Sequence, residues 1–288
     1  LLKDIVMEII KLDDFKDSRF NLTTGSYKLD SCLNGALFSG RIYEFFGIHS
    51  SGKSTIAYKA LADAERQELN SLYIDSEFKS DKRSIEASGV TGKRLSILQE
   101  NNMEQVFSFL KSPEFYNNFD VVVFDSLTAM RSVTDSMSVG GAFAGNGAAL
   151  ISAFMADFAA ICAKHDVLCV VIDQIRFNLN NLPASSPKMG YEVNSVPVPI
   201  GQLVSSCGNA VSHHATARVQ LLETHSIYEN GLVDTDPMGQ KTNFIVVKNH
   251  QGRPMMSGSF YIEYDRGMVV ELELADLAIK KGIFKKNV

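Results

Sequence analysis

From residue 41 onward, short apolar runs alternate with longer stretches whose apolar residues recur at helical spacing. RIYEFF (41–46), SLYID (71–75), LSIL (95–98), DVVVF (120–124) and DVLCVVI (166–172) have strand length and almost no polar face. Strands of this kind are buried on both sides, as in a parallel sheet covered by helices on each face. Helical spacing predicts helices over 54–67, 81–88, 103–111 and 148–164. Further on, ATARVQLLE (215–223), TNFIVVK (242–248) and SFYIEY (259–264) follow without a long helix between them. They predict an antiparallel extension of the sheet. The expected fold class is therefore α/β: a mostly parallel central sheet flanked by helices, with an antiparallel part.

The flanks are simpler. Residues 1–22 read as an amphipathic helix, LLKDIVMEIIKL, and a polar connector. Its apolar face suits this core or a neighbouring subunit equally. Residues 273–288 read as a short helix and a basic tail with Lys280, Lys281, Lys285 and Lys286, most simply a solvated charge cluster. Two segments break the rhythm: 131–147, rich in Gly and Ser, and 176–207, with Asn, Pro, Ser and Gly and little periodicity. Loops of this length in a compact domain are usually functional or disordered. Both start just past the C-terminal end of a predicted central strand, the edge that carries ligands in open α/β sheets.

Composition narrows this only a little. The net charge of −5 gives no global attraction for nucleic acid, so any such binding must be local. No apolar run reaches membrane-spanning length, and no secretory pattern opens the chain. Cys32, Cys162, Cys169 and Cys207 form no C-x-x-C pair and read as reduced structural thiols of a cytoplasmic protein.

The chemistry lies in GIHSSGKST, residues 47–55, which fits G-x-x-x-x-G-K-[ST] between a predicted strand and a predicted helix. Gly47 and Gly52 permit a tight turn, and the amides of Ser50, Ser51, Gly52, Lys53, Ser54 and Thr55 can face phosphate oxygens. Lys53 supplies charge to the β- and γ-phosphates, and Ser54 offers its hydroxyl to Mg²⁺. This is a nucleoside triphosphate site. Three strand ends supply partners. DVVVFDS ends in Asp125, a carboxylate placed to hold the Mg²⁺ shell. SLYIDSEF presents Asp75 and Glu77; Glu77 lies further out and suits a general base or water positioner, Asp75 a structural acid. An ordinary strand-end carboxylate is the plainer alternative for Glu77. VVIDQIR ends its strand in Gln174, either a sensor of the γ-phosphate or a loop-boundary amide. His213–His214 lacks acidic or Cys companions at metal spacing and reads as packing at a strand entry.

Taken in order, TTGSYKLDSCLNG, SGRIYEFFGIHSSGKST, YIDSEF, VVVFDSLTAM, VVIDQIR, CGNAVSHHATARVQL and FIVVKNH resemble a RecA-type recombinase, of a kind carried by phages, over residues 23–272. That resemblance implies a RecA-like ATPase core and a filament-forming, DNA-dependent ATPase that uses ATP and Mg²⁺. It implies binding to single-stranded DNA, pairing with homologous duplex DNA, and strand exchange. Glu77 matches the family's catalytic glutamate, Gln174 its γ-phosphate sensor, and Asp81 a residue at the adenine. The segments 131–147 and 176–207 match the two DNA-binding loops. Arg176, Gly208 and Asn209 match residues near the DNA backbone, and Lys188 adds a cation to the second loop. Lys248 matches a lysine that reaches the nucleotide of the neighbouring subunit, so ATP is expected between subunits of a homo-oligomer.

The sequence also departs from the family. A second trans-acting lysine is replaced by His250, and an adenine-stacking Tyr by Ser84, with Arg83 beside it as a substitute. Residues 131–165 hold only the cations Arg131 and Lys164, besides His165. No counterpart of the bacterial C-terminal domain is apparent. Gly140, Gly141, Gly145 and Gly208 offer backbone amides to phosphates instead. Phe143 and Tyr191 suit either base stacking or loop packing. A hexameric helicase and a non-exchanging regulatory ATPase on the same core are the rival expectations.

Overall fold

A computed structural model describes Leu12 and residues 17–133, 146–177, 190–193, 196–199, 203–205, 208–228 and 236–283. In chain order the first elements are β1 (Asn21–Leu22), α1 (Tyr27–Cys32), β2 (Leu37–Phe38), β3 (Ile42–Gly47), α2 (Lys53–Arg66) and β4 (Ser71–Asp75). There follow α3 (Lys82–Ala87), β5 (Leu95–Leu98), α4 (Met103–Leu110), α5 (Pro113–Tyr116), β6 (Val121–Asp125), α6 (Asn146–His165) and β7 (Leu168–Phe177). Next come β8 (Gly190–Val193), β9 (Val196–Pro199), β10 (Leu203–Ser205) and α7 (Gly208–His214). The last are β11 (Ala217–Ile227), β12 (Gly239–Asn249), β13 (Met256–Glu263), β14 (Gly267–Met268) and α8 (Val270–Lys280).

The main sheet runs β14-β13-β12-β11-β3-β7-β6-β4-β5. From β11 to β5 every pairing along this path is parallel. From β11 to β14 every pairing is antiparallel. The parallel strands are apolar because both their faces are covered, and alternation within β6 shows it. Val121 and Val123 enter one core cluster with Ile56, Ala60 and Leu61 of α2. Val122 and Phe124 enter the other with α4 and α6. There Phe107 stacks on Phe154 at 3.8 Å between ring centroids, and Phe154 on Phe158 at 4.8 Å. The expected strand over 95–98 is the sheet edge, and Ile97 is exposed there.

Three expectations need correction. The strand expected over 166–172 continues to Phe177, so Gln174 and Arg176 lie inside β7 rather than at its end. The cause is non-local: Leu203–Ser205 pairs antiparallel with Ile175–Phe177 and supplies the ladder partners. The segment 176–207 therefore contains regular structure, including the β8–β9 hairpin. The antiparallel strands also run longer than expected, because polar Thr224, His225 and Ser226 pair with Thr242, Lys241 and Gln240.

The terminal segment 1–11, most of the first long loop (134–145) and the tail from 284 lie outside the described residues. Phe143, Lys188 and Cys207 fall there as well. Cys32, Cys162 and Cys169 are buried free thiols. Among the described residues no helix is long and apolar enough to cross a membrane.

Candidate active site

Parallel register gathers the site. Gly47 at the end of β3 pairs with Gln174 of β7. Asp125 at the end of β6 pairs with Ile172 of β7 on one side and with Asp75 of β4 on the other. Gly47, Gln174, Asp125 and Asp75 all reach the same carboxyl edge of the sheet, where open α/β sheets hold ligands.

The loop from Gly47 leads into α2. Gly47 is demanded by proximity rather than by a turn: a Cβ there would lie 2.6 Å from the Leu221 carbonyl oxygen. Gly52 has φ 91°, and a Cβ on it would lie 2.4 Å from Ile262. The N-terminus of α2 has no side-chain cap and no acidic residue in its first turn. Its free N–H groups and positive dipole end are suited to phosphate. The Lys53 ammonium donates to the carbonyls of Gly47 (3.1 Å) and Ile48 (2.6 Å), so it lies within the curl of the loop. Burial pushes it below the usual lysine range, against Asp125, Asp173 and Glu77. A cleft of about 250 Å³ opens over Ser50–Thr55, with Gln240, Ile262 and Tyr264 on its other wall. Gln240 donates to the Ser50 carbonyl at 2.8 Å. Neither Gln240 nor Tyr264 belongs to a local motif, and sequence reasoning missed both.

Ser54 Oγ donates to Asp125 Oδ2 at 2.6 Å. A hydroxyl and a carboxylate on adjacent elements form an all-oxygen donor set suited to Mg²⁺. Together with the uncapped helix end and the loop curl, these residues fit a Mg²⁺-nucleotide. Asp125 also accepts from Tyr73 Oη at 2.5 Å, a partner that sequence reasoning missed. Burial pushes the Asp125 carboxyl up, while Ser54 and Tyr73 resist.

Glu77 follows β4 in a turn and meets three donors. Lys79 Nζ lies 2.8 Å from Oε2; Ser126 Oγ (2.9 Å) and Gln174 Nε2 (2.8 Å) reach Oε1. Burial works against the Glu77 charge, but these donors outweigh it and hold the carboxyl below its ordinary value. A recess of about 460 Å³ opens beside it, lined by Glu77, Lys79, Ser126, Arg131 and Gln174 among others. Arg131 begins the first long loop, and its backbone is tied to Asn101 and Met103 at the start of α4. Asp75 holds the turn after β4: it accepts from the amides of Lys79 and Ser80, from Ser80 Oγ at 2.6 Å and from Gln99. Asp81 caps α3 through the Ser84 amide at 3.1 Å.

Lys248 is not at this edge. Arg218 of β11 pairs with Glu44 and with Lys248, whereas Leu221 pairs with Gly47. Lys248 Nζ donates to the carbonyls of Ser212 (2.8 Å) and His213 (2.9 Å) in the last turn of α7. Burial and then Arg218 push its ammonium down. His213 and His214 thus close a helix before β11, and no metal-type cluster occurs among the described residues. His250 follows β12, its amide on the Thr216 carbonyl. Arg176 pairs in register with Val204, Tyr191 with Val198, and Gly208 and Asn209 open α7.

Comparison with known proteins agrees over nearly the whole chain. The RecA N-terminal domain family matches residues 3–269. Protein RecA of Bartonella quintana is 30% identical over 269 residues, 92% of this chain and 72% of that protein. Protein RecA of Chlorobium limicola is 28% identical over 269 residues, 93% of this chain and 71% of its own length. Protein RecA of Rhizobium rhizogenes is 29% identical over 268 residues, covering 92% and 69%. The chain belongs to the RecA family.

Proposed function

We propose that this RecA-type recombinase binds ATP with Mg²⁺, assembles as a helical homo-oligomer on single-stranded DNA and pairs it with homologous duplex DNA for strand exchange. Residues 23–272 form the ATPase core, and the protein works in the cytoplasm of a bacterium or of a phage's host. Bound MgATP supplies the electrophilic phosphorus and the neutralising cation of phosphoryl transfer to water. Gly47, the amides of Ser50 to Thr55 and the Lys53 ammonium hold the phosphates. Ser54 and Asp125 hold the cation. Glu77 orients the attacking water and takes its proton. Asp81 lies toward the base, and Lys248 serves the nucleotide of the neighbouring copy.

The observation that carries this reading is the Gln174–Glu77 hydrogen bond of 2.8 Å. It joins the hydrolytic carboxylate to β7, the strand that also carries Arg176 and pairs with β10. If the Gln174 amide turns to the γ-phosphate, Glu77 loses a donor and β7 changes at the place where the DNA-facing segment starts. Arg176, Lys188, Gly208, Asn209, Phe143 and Tyr191 are the proposed DNA contacts.

ATP hydrolysis measured with and without single-stranded DNA, across a salt titration, tests this. DNA should stimulate turnover at low salt, and the few cations near the loops predict a shallow loss of binding as salt rises. Absence of stimulation at low salt would overturn the recombinase reading. Electron microscopy should show helical filaments on the DNA; closed rings would favour a helicase-type motor.

A further inference from the structure

Beneath the candidate cation site lies a chain of hydroxyls that the proposed mechanism has not used. Tyr73, in the middle of β4, is 1% exposed, and Tyr58 on α2 is 7% exposed. Their hydroxyl oxygens are 3.2 Å apart, and their rings lie 5.4 Å apart at 43°. Tyr73 Oη is 2.5 Å from Asp125 Oδ2, and Ser54 Oγ is 2.6 Å from the same oxygen.

Hydrogen counting gives the chain a direction. A phenol has one hydrogen to donate. The ionised Asp125 carboxylate can only accept, so Tyr73 spends its hydrogen there. The oxygen of Tyr73 must then accept, and Tyr58 is the donor. The order is Tyr58 to Tyr73 to Asp125, with Ser54 donating from the other side. Both donors that reach the carboxylate land on Oδ2; Oδ1 receives neither. A carboxylate fixed through one oxygen by a phenol on a fully buried strand cannot rotate freely about its last torsion. Its other oxygen keeps its capacity for a cation's shell. Supporting groups of this kind orient metal-binding side chains and typically alter metal affinity when removed.

We infer that Tyr73, supported by Tyr58, is a positioning residue that holds the Asp125 carboxylate in place for Mg²⁺. The inference rests on the assignment of Asp125 to the cation. The bland alternative is a pair of core tyrosines that satisfy their hydroxyls on whatever acceptor is near. The two differ in what a phenylalanine does. Removing a hydroxyl from a purely structural pair alters stability and leaves the Mg²⁺ requirement alone. Removing it from a positioning chain alters the Mg²⁺ requirement.

The test is binding of a non-hydrolysable fluorescent ATP analogue, titrated with Mg²⁺, for the parent, Tyr73→Phe, Tyr58→Phe, the double variant and Asp125→Asn. Thermal melting and metal-free analogue binding serve as controls. Tyr73→Phe should raise the half-saturating Mg²⁺ about ten- to hundredfold, the usual cost of removing a group that orients a metal-binding carboxylate, and leave metal-free binding unchanged. Tyr58→Phe should move it less, in the same direction. Added to Tyr73→Phe it should move nothing further, because its only route to Asp125 has gone. An unchanged Mg²⁺ requirement in Tyr73→Phe overturns the inference, as does a fully additive double variant. An equal loss of metal-free and Mg²⁺-dependent binding overturns it too, since that is a structural effect. If Asp125→Asn itself leaves the Mg²⁺ requirement unchanged, the cation assignment fails, and the inference with it. If only Tyr73→Phe is silent, the assignment stands and the inference alone fails.

Discussion

Two parts of one sheet carry the charges that the proposed chemistry needs, and they are built in opposite ways. At the carboxyl edge, Ser54 bonds to Asp125, and Gln174 and Ser126 bond to Glu77, so that short polar bonds tie α2 to β6 and tie β6 and β7 to the turn after β4. In the antiparallel wing, Lys248 is held by two carbonyls that end α7, a favourable place for a cation. Register separates the two. Leu221 faces Gly47, but Arg218 faces Lys248. At roughly 3.3 Å per residue, that is about 10 Å back along the strand from the phosphate loop. The residues proposed to hold phosphate thus come together within one chain, and Lys248 lies away from them. On the proposed reading, that lysine serves a neighbour.

The comparison is tested hardest at Glu77. Glu77→Gln removes the proposed base and keeps the shape. Turnover should fall about a hundred- to ten-thousandfold, while binding of an ATP analogue stays unchanged and the DNA complex persists longer. Equal turnover in variant and parent would move the base elsewhere. Lys53→Ala probes the grip itself. Analogue affinity should fall about a hundredfold, because the phosphate charge loses its buried partner. Fluorescence titration measures it, and unchanged affinity would remove Lys53 from the site.

What could be read from residues alone follows the same division. The strand, loop and helix over 42–66 and the strand-end position of Asp125 were legible because each rests on a local pattern: an apolar strand, glycines at fixed spacing, an amphipathic helix. The parallel core was legible because strands buried on both faces carry apolar runs, as Val121–Phe124 do. The continuation of β7 past Gln174 was not, because Ile175–Phe177 pair with Leu203–Ser205 arriving from distant sequence, whereas Asp173 and Gln174 still pair with Phe46 and Gly47 of β3. Gln240 and Tyr264 escaped for a similar reason. They meet the phosphate loop only because β12 and β13 fold back beside it. The bond from Tyr73 to Asp125 escaped too, because it depends on the register of β4 against β6 and on no local pattern.

Lys248 offers a way to break the contrast between the two regions. Lys248→Ala should lower DNA-dependent turnover about tenfold, by loss of one charge-assisted contact, and should spare analogue binding to isolated chains. Mixing decides whether the lysine acts across subunits. Chains with Lys53→Ala still donate Lys248, and chains with Lys248→Ala still have a complete phosphate grip. A mixture should recover part of the parent turnover. If mixing recovers nothing, Lys248 acts within its own chain or not at all.

The smallest expected effect lies at Lys79, the exposed ammonium on Glu77. Burial alone would push the Glu77 carboxyl up, yet Lys79, Ser126 and Gln174 together hold it below its usual value of 4.5. A carboxylate stabilised in this way is ionised at neutral pH but is a weak base. Lys79→Ala removes one stabiliser of the charged form, so the carboxyl should titrate at higher pH. Two consequences follow in sign. The acid limb of the rate profile should move to higher pH, and DNA-independent turnover at neutral pH should rise a few-fold, since the glutamate is still ionised there and is now more basic. Stopped assays across the acid range read the limb directly. A limb that stays in place would make Lys79 a solvated surface charge. The weakness of Glu77 as a base would then rest on Ser126 and Gln174, the two donors that face the rest of the site.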